Sequence, residues 1–277
     1  MKQNEKPRVP VPGNKQEQKI QEPKIKIVNF ETPYEDVFKI LEEERIVSLD
    51  LNLTAEERES IRNLKIESDT SHLNYFGNVD SNDLSSNLDL YLKSIGENSE
   101  ETIERVSRLI KRIAEGLARH FNTKFVWIDS KSMLPNDYFI TPRWHTDAKF
   151  YNPLTAYKLV MAIKGPQTRF GSTAESEKFV QLSIEENKEK HGSEEDMRIR
   201  KELDLIVNEV QMPSKENPTL YLVSSDDAYI HSEPHIDEER IFIAIVAGTE
   251  EEINEWSNRT EQKKLRKKSK EEEGSKS

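Results

Sequence analysis

Pro142-Arg143-Trp144-His145-Thr146-Asp147 is the stretch on which the reading of this chain turns. Strand-like runs surround it. Phe125-Val126-Trp127-Ile128 and Tyr138-Phe139-Ile140 come before, and a run from Ala156 to Ile163 comes after and ends at a Gly165-Pro166 turn. In extended backbone, residues i and i+2 project to one face, so His145 and Asp147 can reach one metal ion from a single strand end. Strands resume at Thr219 to Val223, Ala228 to His231 and Arg240 to Val246, and Tyr229-Ile230-His231 places a second histidine where a strand can deliver it. Two imidazoles and a carboxylate gathered from separate strands occupy one face of an octahedron and leave the remaining positions open, as iron(II) oxygen chemistry requires. His145, Asp147 and His231 are therefore the candidate metal ligands and catalytic residues.

Working outward, Arg240 lies nine residues after His231 and opens the apolar run Ile241-Phe242-Ile243-Ala244-Ile245-Val246. A hairpin would set that strand beside the one carrying His231. A guanidinium there can clamp a carboxylate with two parallel hydrogen bonds. A strand-edge arginine that discourages sheet pairing is the alternative reading of Arg240. His235 follows Pro234 and is expected near the mouth of the site. Arg143 and Lys149 flank the first ligand pair and read as solvated charges, Trp127 and Trp144 as core, and Asp226-Asp227 as a turn. His72, His120 and His191 have no partner nearby in sequence.

An HxD pair, a distal histidine and an arginine nine residues later on a strand resemble the iron(II) and 2-oxoglutarate-dependent dioxygenases, in their prolyl-hydroxylase-like branch. The resemblance covers about residues 121–248. It implies a double-stranded β-helix (jelly roll) with Fe(II) on His145, Asp147 and His231, and 2-oxoglutarate with its far carboxylate on Arg240 and Tyr157. It implies oxidative decarboxylation of 2-oxoglutarate coupled to hydroxylation of a substrate, either a small molecule or a protein side chain. The same segment is similar to an uncharacterised bacterial family with an HxD, a Gly-Pro turn with an aromatic close by, and a late HxxP. Here those are His145-Thr146-Asp147, Gly165-Pro166 with Phe170, and His231-Ser232-Glu233-Pro234. A cupin-like metalloprotein without 2-oxoglutarate, and a non-catalytic interaction protein on a degenerate jelly roll, remain open alternatives.

The fold class expected is α+β, a jelly-roll core with N-terminal supporting helices and a charged helical insertion. Residues 1–25 hold four of the twelve prolines and read as a disordered leader. Residues 26–120 read as a mainly helical support. Its clearest helix runs from Ser99 to His120, with a start at Asn98 and Glu101 and an apolar face of Ile103, Val106, Ile110, Ile113 and Leu117. Residues 121–248 form the metal-binding core, interrupted at 172–211 by the charged insertion. There Ser193 caps a helix whose apolar face is Ile199, Leu203, Ile206 and Val210. Residues 249–277 read as a charged helical or disordered tail.

Composition excludes several classes. A net charge of -11 argues against nucleic acid as the main partner. The absence of cysteine removes thiolate zinc sites, iron–sulfur clusters, cysteine nucleophiles and disulfides. No apolar stretch is long enough to span a membrane, and the N-terminus lacks the apolar region of a secretory signal. The expectation is a soluble cytoplasmic protein.

Overall fold

The structure, a computed structural model, describes residues 25–147, 157–212, 214, 216–223, 228–259 and 261. The proposed leader lies almost wholly outside these residues, as do the proposed tail from 262 onward, Lys149, Asp226 and Asp227. The N-terminal region alternates strands and helices: β1 (Ile27–Asn29), α1 (Tyr34–Glu44), β2 (Ile46–Asp50), α2 (Ala55–Asn63), β3 (His72–Asn78), α3 (Asn82–Ser94) and α4 (Glu100–His120). Then come β4 (Phe125–Met133), β5 (Tyr157–Lys164), β6 (Arg169–Ser172), α5 (Ser176–Glu186), α6 (Glu194–Ile206), β7 (Asn208–Val210), β8 (Thr219–Leu222), β9 (Ile230–Ser232) and β10 (Arg240–Gly248). Residues 250–259 form a last helix, α7. No helix among the described residues is long and apolar enough to cross a membrane.

The strands make a seven-stranded sheet, β1-β2-β8-β5-β10-β4-β3, and a three-stranded sheet, β7-β6-β9. All pairings are antiparallel except β1 with β2. An isolated antiparallel bridge joins His145 to His231, so the HxD segment lies along the free side of β9. The result is a mixed α/β architecture with one large sheet, consistent with a jelly-roll-like fold.

Alternation along the strands separates the two faces of the large sheet. Val126 and Ile128 of β4, Leu159, Met161 and Ile163 of β5, and Ile241, Ile243 and Ile245 of β10 join one apolar cluster with the buried faces of α1, α3 and α4. The intervening residues turn toward the small sheet. Helix α4 supplies the largest part of the helical layer: Ile103, Val106, Ile110, Ile113 and Leu117 are all buried, as its spacing predicts. Its cap is one residue later than expected. Ser99 Oγ accepts from Thr102 N at 3.2 Å, while the Asn98 side chain takes Lys65 N at 2.8 Å. Helix α2 carries a full capping box between Thr54 and Glu57.

Other expectations need correction. Tyr138-Phe139-Ile140 is a turn and not a strand. The Asn136 side chain accepts from Tyr138 N at 3.1 Å, which bends the chain, and Tyr138 and Ile140 are exposed. The 26–120 region is not only a helical buttress, since β1, β2 and β3 extend the large sheet on both sides. Within the insertion, Val210 belongs to β7 and not to the preceding helix. Arg240 is no edge residue, because β10 sits between β5 and β4.

Candidate metal centre

His145 and His231 face each other across the bridge. His145 N donates to His231 O and His231 N to His145 O, both at 2.9 Å. Two reciprocal bonds fix the register, and the imidazole centroids lie 4.3 Å apart. Asp147, two residues on from His145, comes to the same place: ligand-type atoms of His145, Asp147 and His231 all lie within 4.8 Å of one another.

Both rings are oriented from behind. His145 Nδ1 is 2.8 Å from the Arg143 carbonyl, and His231 Nδ1 is 3.2 Å from the Tyr229 carbonyl. A carbonyl can only accept, so each Nδ1 carries a proton and each Nε2 is the nitrogen free to face a metal. Burial pulls the His231 imidazole down to about 3 against the opposing charge of Asp147, which leaves it neutral at ordinary pH. Burial pushes the Asp147 carboxyl up, but Lys158, His231 and His145 together outweigh this and hold it far below the usual carboxylate range. Two imidazoles and one ionised carboxylate are the donor set that suits a divalent transition metal such as iron(II), and the residues present fit such an ion.

Lys158 was not anticipated. It projects from β5 and its ammonium bonds Asp147 Oδ2, where the Tyr221 hydroxyl also donates at 3.4 Å. Tyr157, the expected 2-oxoglutarate contact, is its neighbour and therefore points the other way. Its ring packs 5.0 Å from Phe38 and 6.1 Å from Phe121 on the helical side of the sheet, and it does not line the cavity.

That cavity, of about 190 Å³, is lined by the three candidate ligands together with Lys158, Tyr221, Thr168, Glu233, Arg240 and the aromatic rings of Trp127 and Phe242. It is smaller than the roughly 300–1,000 Å³ of drug-sized pockets. His235 does not line it. Trp127 does, and its ring also stacks on Trp256 of α7 at 4.6 Å. Trp144 is core, as expected, at 1% exposure.

Arg240 is 1% exposed and faces the same cavity. Its hydrogen-bond partners are neutral: Pro166 O at 2.8 Å, Thr168 Oγ1 at 3.4 Å and Met133 Sδ at 3.6 Å. Burial draws the guanidinium down to about 10, with only the charge of Glu233 opposing. No carboxylate among the described residues forms an ion pair with it. The Gly165-Pro166 turn brings the Pro166 carbonyl to Arg240, and Gly165 holds φ +85 there.

No family model matches the sequence, and no curated protein matches it. The solved structures similar to it include an oxidoreductase of the 2OG-Fe(II) oxygenase family from Burkholderia pseudomallei. That pair shares 14% identity over 82% of this chain and 97% of the other, with a TM-score of 0.35. A Pseudomonas putida prolyl-4-hydroxylase shares 10% identity over 78% and 98%, TM-score 0.36. A rice dioxygenase for auxin oxidation shares 8% over 81% and 83%, TM-score 0.42. At these values the likeness is broad, and the chemistry of the site stands on its own geometry.

Proposed function

We propose that this chain is a non-haem iron(II) and 2-oxoglutarate-dependent oxygenase-like protein acting on a substrate yet to be identified. One observation carries the reading: a two-histidine, one-carboxylate donor set shares a small cavity with a buried arginine that has no acidic partner. An isolated buried cation is costly, so the geometry asks for an anion at Arg240. The strand orders support a double-stranded β-helix. In the large sheet β4-β10-β5-β8 are adjacent, and in the small one His145-β9-β6-β7 follow one another. From β4 onward the chain passes back and forth between them.

On this reading His145, Asp147 and His231 hold the metal, and Arg240 with Thr168 orients the far carboxylate of the oxo acid. The metal, when bound, supplies oxygen activation coupled to decarboxylation of 2-oxoglutarate. Val160, Phe242 and Ala244 keep water from the acid's chain. Trp127 and Glu233 stand on the wall left for the substrate, whose class is either a small molecule or a protein side chain.

A second reading rests on Lys158. A jelly roll that keeps the shape of the site around a Lys158–Asp147 ion pair would serve as a binding protein without oxygen chemistry. One experiment separates the two. Iron(II) and 2-oxoglutarate are added without oxygen to the purified protein, and the visible charge-transfer band of the chelate is followed. The oxygenase-like reading expects the band in the wild type, its loss in Asp147→Ala, and weaker 2-oxoglutarate binding in Arg240→Met. No band and no bound metal would leave the ion-pair reading standing.

A further inference from the structure

Arg143 and Trp144, the two residues before His145, are both held by the α5–α6 hairpin. Arg143 Nε donates to Glu186 Oε1 at 2.6 Å and Nη2 to Oε2 at 3.1 Å, two parallel bonds onto the last residue of α5. The charge expected to be solvated is thus a fork closed on a buried carboxylate. Behind it, Arg200 of α6 stands 3.9 Å from Glu186 Oε1 and holds Asp196 through Nε at 3.1 Å and Nη2 at 3.0 Å. Trp144 Nε1 donates to Asp204 Oδ1 of α6 at 2.8 Å, and its ring lies among Phe179, Leu182, Ile199 and Leu203.

Glu186, His191 and Asp196 bring ligand-type atoms within 4.8 Å of each other, which on residue types alone suggests a second metal site. Two guanidiniums already neutralise the two carboxylates, and Gly192 N donates to Asp196 Oδ2 at 2.6 Å. The cluster is an ion network, and its outlet is Arg143. The backbone of Arg143 touches both histidine segments. Its carbonyl accepts from His145 Nδ1 at 2.8 Å, and its N–H donates at 2.9 Å to the hydroxyl of Ser232, the residue after His231.

We infer that Glu186 is a positioning residue for His145: by gripping the Arg143 guanidinium it fixes the Arg143 carbonyl that sets the tautomer and direction of the imidazole. The charged insertion is then the outer support of the site. Only the cobalt arm of the test rests on the metal reading above.

The experiment compares full-length wild type with Glu186→Gln and with Leu88→Ala, a buried change in α3 away from the hairpin. Ring ¹⁵N shifts of His145 are read without metal, and cobalt(II) is titrated separately. Glu186→Gln is expected to move the His145 nitrogens from the Nδ1–H tautomer toward a mixture and to weaken cobalt binding by about 10- to 100-fold, the usual effect of losing a partner behind a ligand. Leu88→Ala is expected to lower Tm with neither change. If Glu186→Gln does not fold, Arg143→Lys, which keeps the charge and loses the fork, reads the same shift in milder form. Wild-type ring shifts in these variants would overturn the inference. A wild type that takes no cobalt, beside a tautomer change in Glu186→Gln, would overturn the metal reading and uphold this one.

Discussion

The two faces of the seven-stranded sheet are built on opposite terms. The face toward α1, α3 and α4 is apolar and redundant: Leu159, Met161, Ile163, Ile241, Ile243 and Ile245 meet Leu88, Ile110, Ile113 and Leu117 in one continuous cluster. The face toward the small sheet carries Asp129, Lys158, Tyr221 and Arg240 on the wall of one cavity. On the first face each contact is one among many, and loss of one leaves a cavity. On the second, Asp147 and Lys158 balance each other while Arg240 has only neutral hydrogen-bond partners, and loss of either member of the pair leaves a buried charge. The helical face therefore holds the fold, while the other face holds electrostatic potential in a fixed place.

The sharpest way to break that contrast is Lys158→Met. It removes the ammonium from Asp147 and leaves a buried carboxylate with Tyr221 and the histidines. Breaking one side of a buried ion pair costs about 3–5 kcal/mol. The loss is expected in calorimetry with chelator present, and cobalt(II) should restore much of it, because the metal's charge replaces the ammonium. A Lys158→Met protein as stable as wild type, and indifferent to cobalt, would show that the pair contributes little and that the ion does not bind at Asp147.

Leu117→Ala makes the complementary cut on the helical face. Deleting a fully buried leucine costs about 2–5 kcal/mol through lost transfer energy and the cavity left behind. Denaturant unfolding should register that loss, while metal affinity and the His145 ring signals stay at wild-type values. A change in metal affinity would mean that the two faces are coupled through the sheet.

The same contrast explains what was legible in the sequence. The helical face was readable wherever period and burial agreed, as in α4. It was not readable in α3, where Asn, Asp and Ser outnumber good helix formers and the helix is carried by the burial of Leu84, Leu88, Tyr91 and Leu92. Strand β3, His72-Leu73-Asn74-Tyr75-Phe76-Gly77-Asn78, is half polar and owes its place to pairing with β4. On the cavity face, the HxD spacing and the strand-like surroundings of His231 and Arg240 marked four residues that share one cavity, although β9 and β10 lie in different sheets and do not form the expected hairpin. Lys158 carries no signal in the sequence, and Tyr157 enters only through the family resemblance. Strand β5 is buried on both faces, so hydrophobicity does not alternate along it, and a slip of one residue reverses every side chain. The partner of Arg143 was beyond reach as well, since Glu186 lies forty-three residues away and nothing local pairs them.

The smallest expected effect comes from Gly165→Ala, and it tests whether the cavity face tolerates a shift of backbone. Gly165 sits at φ +85, where an L side chain is strained by roughly 1–2 kcal/mol. A Cβ there would lie 2.4 Å from Glu239 O and 3.0 Å from Arg240 Cα, both backbone atoms that cannot swing aside. The turn must move, and it carries the Pro166 carbonyl that holds Arg240 Nε at 2.8 Å. Stability should fall by about 1–3 kcal/mol, the range for overpacking. The informative readout is 2-oxoglutarate binding to the metal-loaded protein, which should weaken more than the loss of stability alone accounts for, while cobalt affinity is kept. The histidines are tied to each other across the small sheet, and Arg240 is tied to this turn. Equal losses in both affinities would instead place the turn in support of the whole cavity, and an unchanged 2-oxoglutarate affinity would separate Arg240 from the acid.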